Sequence, residues 1–281
     1  MRRLGGRNTL ERLARFGYGA RGFVYCVVGG LAVLAALGAG GRAGDSRGAL
    51  RTVFGGPFGP VLVGAIALGL AGFAVWRAVE AVTDADRRGT APKGLAVRAA
   101  HLISAGIYGG LALTAASLSL GLGMSGGDGM RDWSAWVMAR PFGRWLLALI
   151  GAAIVGGGLG FLWKAARGDV TERLLLGPAQ ARWAKPIGRF GYAARGVAFL
   201  IIGGFLIVAA WYQRSSEVKG LAEAFALLRR QEYGAVLLGL VAAGHVAFGA
   251  FGLIQARYRH IDAPDIDEAD EAAARALRDL T

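Results

Sequence analysis

Two arginines stand about one turn inside the start of long apolar stretches. Arg21 and Arg195 close the matching runs Phe16-Gly17-Tyr18-Gly19-Ala20-Arg21-Gly22 and Phe190-Gly191-Tyr192-Ala193-Ala194-Arg195-Gly196. A guanidinium keeps its proton and is costly in hydrocarbon unless it finds a partner. Two chemistries fit. One is anchoring on lipid phosphates, with Arg15 and Arg189, the residues before each run, as second bases that fix helix depth. The other is recognition of an anionic substrate. His101 and His245 invite haem ligation or proton relay. They lie at different depths, His101 near one edge and His245 near mid-span, roughly 10 to 15 Å apart along a helix axis, too far to serve one haem. His245 is thus a candidate proton relay, or a histidine bonded to a helix carbonyl. Glu80, Lys164 and Gln255 occupy equivalent places in the repeat described below, with Arg77 one turn before Glu80. They could form an inner polar layer in which Glu80 meets Lys164 or Arg21; the plainer reading pairs Glu80 with Arg77 at the surface. HExxH, CxxC, GxSxG in a strand-turn-helix setting, the Walker loop and paired buried carboxylates are all missing from the sequence, so no enzyme, catalytic residue, metal or cofactor is expected. Cys26 is the single cysteine and reads as a small core residue.

The elements that must hold these residues are membrane spans. Of the 281 residues 54% are hydrophobic and 18% charged, and the charges cluster. A bilayer core of roughly 30 Å needs about 20 apolar helical residues. Charge-free stretches of that length run over residues 22–41, 52–76, 99–127, 145–163, 196–213 and 233–256. What remains is too little for a separate soluble core. The net charge of +13 alternates with the spans, which points to a bilayer rather than nucleic acid, and the excess of basic residues in both tails and the even-numbered loops places both termini in the cytoplasm of a plasma (inner) membrane protein. The opening resembles a signal peptide, but its pattern recurs at residue 190, so the first span is expected to be retained.

The spans form three tandem hairpins, residues 13–84, 95–167 and 185–258, between an N-terminal tail (1–12) and an acidic tail (259–281). In the middle copy His101 replaces the tyrosine and Ser104 the arginine, while Tyr108 falls opposite Tyr25 and Phe199. Pro57-Phe58-Gly59 and Pro141-Phe142-Gly143 open the second helix of the first two copies, and Glu232-Tyr233-Gly234 that of the third. Before each lies an amphipathic stripe (Ala49, Val53, Phe54; Trp133, Val137, Met138; Ala224, Phe225, Leu228), read as a short interfacial helix on the outer face with Trp133 and Trp136 at headgroup depth. An even number of spans per copy makes the repeats parallel, and a pseudo-threefold ring or a packed bundle would satisfy them. Gly106 with Gly110 and Gly156 with Gly160 read as tight helix contacts. Asp265 and Glu268 could cap a short helix reaching Leu280, or the tail could stay disordered.

With its paired F-G-Y-x-A-R-G runs and P-F-G entries, the chain resembles, from about Leu13 to Tyr258, the bacterial membrane family catalogued as domain of unknown function 1206, common in actinobacteria. The resemblance implies an all-α integral membrane six-helix bundle and adds no reaction. Two function classes are open: a structural or accessory protein that binds anionic lipid headgroups or another membrane protein, and a channel or secondary transporter for protons or a small solute.

Overall fold

The computed structural model describes residues 2–38, 46–84, 89, 91–122, 129–212 and 220–261. The expected helix in the acidic tail lies outside them. Six helices are long and apolar enough to cross a membrane: α1 (Arg2–Ala36), α3 (Gly59–Thr83), α4 (Pro92–Ser119), α6 (Gly143–Ala166), α7 (Pro178–Tyr212) and α9 (Gly234–Tyr258). Three short ones, α2 (Ser46–Phe54), α5 (Gly129–Met138) and α8 (Leu221–Arg229), come between the two long helices of each hairpin. They bury Ala49 and Leu50, Ser134 and Val137, and Ala224 and Phe225 respectively. Of the expected stripes, Trp133 is exposed, and Leu50 takes a place that the pattern did not assign.

Helices α1 and α7 begin far ahead of the charge-free stretches, because a search for uncharged residues stops at the first arginine while the helix does not. Arg21 and Arg195 therefore lie well inside their helices. Conversely, residues 52–58 do not belong to the second span, which starts at Gly59. Phe58 and Phe142 adopt left-handed φ of 57° and 59°, and both are exposed. A Cβ on Gly59, Gly143 or Gly234 would collide with the carbonyl oxygen of Phe54, Val137 or Arg229. The repeated glycine is therefore required by the tight turn from short helix to span.

The long helices follow one another in chain order around a ring. Within that ring α3 packs along α4, α6 along α7, and α9 closes back onto α1. Equivalent arginines tie these three joints. Arg98 donates to the carbonyls of Ala81 (2.6 Å) and Val82 (3.0 Å), Arg189 to those of Ala165 (2.6 Å) and Ala166, and Arg15 to those of Ala256 (3.1 Å) and Arg257 (2.9 Å). Each satisfies last-turn carbonyls of the preceding copy's second helix, at the negative end of its dipole.

Inside a hairpin the copies differ. In the first, a Cβ on Gly17 would come 2.6 Å from the Phe73 nitrogen, and Gly69 lies against Ala20; in the third, Gly191 lies 2.6 Å from the Phe248 nitrogen on the same measure, and Gly244 against Ala194. All eight residues are buried. At the corresponding places the middle copy has Ala100, Ile103, Ala153 and Gly157, all exposed. Helices α4 and α6 do not pack together as α1 with α3 and α7 with α9 do. Ile103 in place of Ala, and Ala153 in place of Gly, add bulk at the points where backbones must approach closely. The missing phenylalanine at Gly157 takes away the side chain that would fill the remaining space. The ring is open along one seam, and α4 and α6 are its least buried long helices.

The GxxxG pairs do not make the tight contacts expected of them. Gly106, Gly110, Gly156 and Gly160 face open space, since a Cβ on any of them would meet nothing within 4 Å. The close approaches fall elsewhere, at Gly22 with Gly249 and Gly252 and at Gly158 with Gly196.

Candidate functional site

Where the first and third hairpins face each other, arginines and aromatic rings alternate. Arg21 is 7% exposed. It donates to Gln255 Oε1 at 2.7 Å, and its guanidinium carbon lies 4.7 Å from the Phe73 centroid and 5.4 Å from that of Phe248. Arg77 lies 4.9 Å from the same Phe73 ring, and Arg195 4.8 Å from the same Phe248 ring and 4.9 Å from Phe199. Arg195 also donates to the Tyr25 hydroxyl, which lies 3.3 Å from the Tyr108 hydroxyl. Side chains from positions 25, 108 and 195 thus meet across the ring although the backbones of α1, α4 and α7 do not pack closely. Each desolvated cation–π contact contributes up to about 2 kcal/mol, which offsets part of the cost of burying the charge.

Towards the ends of α3 and α9, Glu80 is 1% exposed. It accepts from Arg77 at 2.8 Å and from Arg259 at 2.9 Å, and His101 Nδ1 stands 4.0 Å away. Arg259 is held there by the segment after α6: Leu175 N donates to Tyr258 O at 2.8 Å and His260 N to Arg173 O at 2.9 Å.

The sequence expectations divide accordingly. Arg21 and Arg195 are interior residues bonded to Gln255 and Tyr25, not phosphate anchors at an outer edge, because their helices continue well past the charged turn. Arg15 and Arg189 donate to helix-end carbonyls, with Glu11 a further partner of Arg15 at 2.7 Å. Glu80 does meet Arg77, but in the interior rather than at the surface. Lys164 and Arg21 are not its partners. Gln255 joins Arg21, and Lys164 stands apart with its ammonium 5.2 Å from the Tyr192 centroid. His245 is 2% exposed; its Nδ1 is 2.9 Å from Val241 O on its own helix, and its ring packs 5.2 Å from Phe225. Cys26 Sγ points at Val246 O, 3.8 Å away.

Sequence reasoning missed Arg98, Arg259, Tyr25 and Tyr108 as site residues. Arg98 could have been found from its register with Arg15 and Arg189. Nothing in the repeat flags Arg259, whose place depends on how two inter-helix segments pair.

Arg21, Arg77, Arg195 and Arg259 converge on shared rings, and among the described residues Glu80 accepts from two of them, Arg77 and Arg259. The Nε atoms of Arg21 and Arg195 are buried without a hydrogen-bond partner, as is the Tyr18 hydroxyl. An apolar groove of about 550 Å³ between α3 and α4, lined by small residues such as Gly64, Ala67, Gly109 and Ala112, does not reach these groups.

Fold and core together define a polytopic membrane protein of three parallel helical hairpins around an arginine and aromatic centre. The chain belongs to the family described as Domain of Unknown Function (DUF1206), whose pattern matches residues 16–84, 99–168 and 190–259, once in each hairpin. It is 33% identical over 255 residues, covering 90% of this chain and 92% of the relative, to the uncharacterised protein YxxB of Bacillus subtilis (strain 168). No solved structure matches the chain.

Proposed function

We propose that this protein is an accessory component of the bacterial plasma membrane that holds a lipid in its open middle hairpin, with both termini in the cytoplasm and no catalytic role. The observation that carries the reading is the seam between α4 and α6. Four positions that are buried in the other two hairpins are exposed there, and a membrane protein's exposed apolar face is covered by lipid. The basic ends of the long helices support the orientation, since positive loops stay on the cytoplasmic side. Against a proton pathway stands His245, whose ring is packed among aromatics and bonded to its own helix.

The test is lipid retention. The full chain, purified in mild detergent and measured by native mass spectrometry, is expected to carry about one lipid per chain through washing that strips bulk lipid. A variant carrying Ile103→Ala, Ala153→Gly and Gly157→Phe, the residues of the closed hairpins, is expected to fold and lose it. Equal retention by both proteins, or none by the native chain, would defeat the proposal.

A further inference from the structure

We propose that the lipid held in the open hairpin is anionic and that its headgroup sits on Arg140 and Arg144, beside Trp136 and Trp145; this rests on the lipid-holding reading above. The four residues surround the turn from α5 to α6. That turn is tight, with Gly143 N donating to Arg140 O at 2.9 Å, so the two arginines leave from neighbouring backbone positions. Both are exposed. The Arg140 guanidinium carbon lies 4.5 Å from the Trp136 ring centroid, and that of Arg144 4.9 Å from the Trp145 centroid. Among the described residues neither side chain makes a hydrogen bond or an ion pair. An arginine that meets only a ring keeps its N–H donors for phosphate oxygens.

The pattern belongs to the open copy alone. At the places of Trp136, Arg140, Arg144 and Trp145 the first copy has Thr52, Gly56, Pro60 and Val61, and the third has Leu227, Gln231, Ala235 and Val236. The third copy's nearby Arg229 and Arg230 are followed by Glu232, so that turn carries both signs; from Trp133 to the end of α6 at Ala166 there is no acidic residue. Asp132 stands more than a full turn before the end of α5. Indole rings favour the headgroup level of a bilayer. The turn lies at the opposite end of α6 from Ala165 and Ala166, which Arg189 ties; with the termini cytoplasmic, as proposed, it faces the outer leaflet. The helix below the turn selects a lipid over a free ion. Trp145, Leu149, Ala152 and Gly156 recur at helical spacing and are all exposed, a stripe that adjoins Ala153 in the seam. From Trp145 to Gly156 it spans about 16 Å at 1.5 Å per residue, close to the roughly 15 Å of one leaflet's hydrocarbon. A headgroup at the turn would lay its acyl chain along the open seam.

The experiment supplies the delipidated full chain with phosphatidylglycerol, phosphatidylcholine of the same acyl chains, or inorganic phosphate alone, with bound lipid read by native mass spectrometry and protection by thermal unfolding. Two basic groups at the headgroup predict roughly 30-fold preference for phosphatidylglycerol, cut about fivefold by Arg144→Gln and abolished when Arg140→Gln is added. Arg51→Gln, at an exposed arginine on the short helix of the closed first hairpin, should leave the preference unchanged. Both site arginines are exposed and touch only a ring, so their variants are expected to fold as the native chain does. Equal retention of the two lipids would overturn the anionic site while leaving the lipid-holding reading intact; retention of neither would overturn both. Phosphate alone protecting as well as phosphatidylglycerol, the double variant keeping its preference, or Arg51→Gln lowering it as much as Arg144→Gln would also sink the proposal.

Discussion

At the scale of single residues, Glu80 decides the charge state of the core. Two guanidiniums donate to it in the interior, so Glu80→Gln leaves both facing a neutral amide. Breaking a buried ion pair from one side costs about 3–5 kcal/mol. The expected result is a large drop in folded yield and melting temperature in detergent, partly recovered when Arg259→Gln is added. No change in melting temperature would remove the case for a buried pair. Outside the membrane, Asp169 shows a smaller effect with a definite sign. Its carboxylate accepts from the Thr171 hydroxyl at 2.7 Å and the Thr171 amide at 2.9 Å, and these bonds hold it below the usual carboxylate range. Stability from this turn is present above the ordinary carboxylate pKa and is lost as pH falls through the lowered value. Thr171→Val should therefore be less stable than the native chain at neutral pH, the difference shrinking as pH falls through the lowered carboxylate range, as followed by melting temperature against pH.

At the scale of helices, the location of a glycine decides its cost. Gly191 lies against the Phe248 backbone, so Gly191→Ala is expected to destabilise by about 1–3 kcal/mol through overpacking. Gly106 faces open space, and Gly106→Ala should be neutral or stabilise by up to about 1 kcal/mol through helix propensity. Unfolding of the two variants side by side checks this; equal destabilisation would mean that the GxxxG spacing marks a contact after all. The spacing alone could not separate the cases, because a GxxxG pair states that a helix has a smooth face and not which neighbour faces it. The doublets that do pack, Gly17 with Phe73 and Gly191 with Phe248, lie on different helices of a hairpin and become visible only when the copies are superposed in sequence.

For the whole molecule, the prediction concerns the seam. In a Cys26→Ser background, cysteines replacing Ile103 and Ala153 should resist oxidation to a disulfide, because α4 and α6 do not pack along each other as the helices of the other two hairpins do. Rapid cross-linking in membranes would show a closed ring. The sequence by itself determined that there are six spans, their grouping in three parallel hairpins and the divergence of the middle copy. Those follow from hydrophobic length and repetition, both of which are read along the chain. Only the tertiary structure decided that Arg21 and Arg195 turn inward, that Arg15, Arg98 and Arg189 stitch each copy to the one before, and that the divergence opens the ring instead of merely loosening it. Each of these depends on which distant helix lies opposite, and a guanidinium at a given depth has the same local sequence whether it meets a phosphate outside or a ring inside.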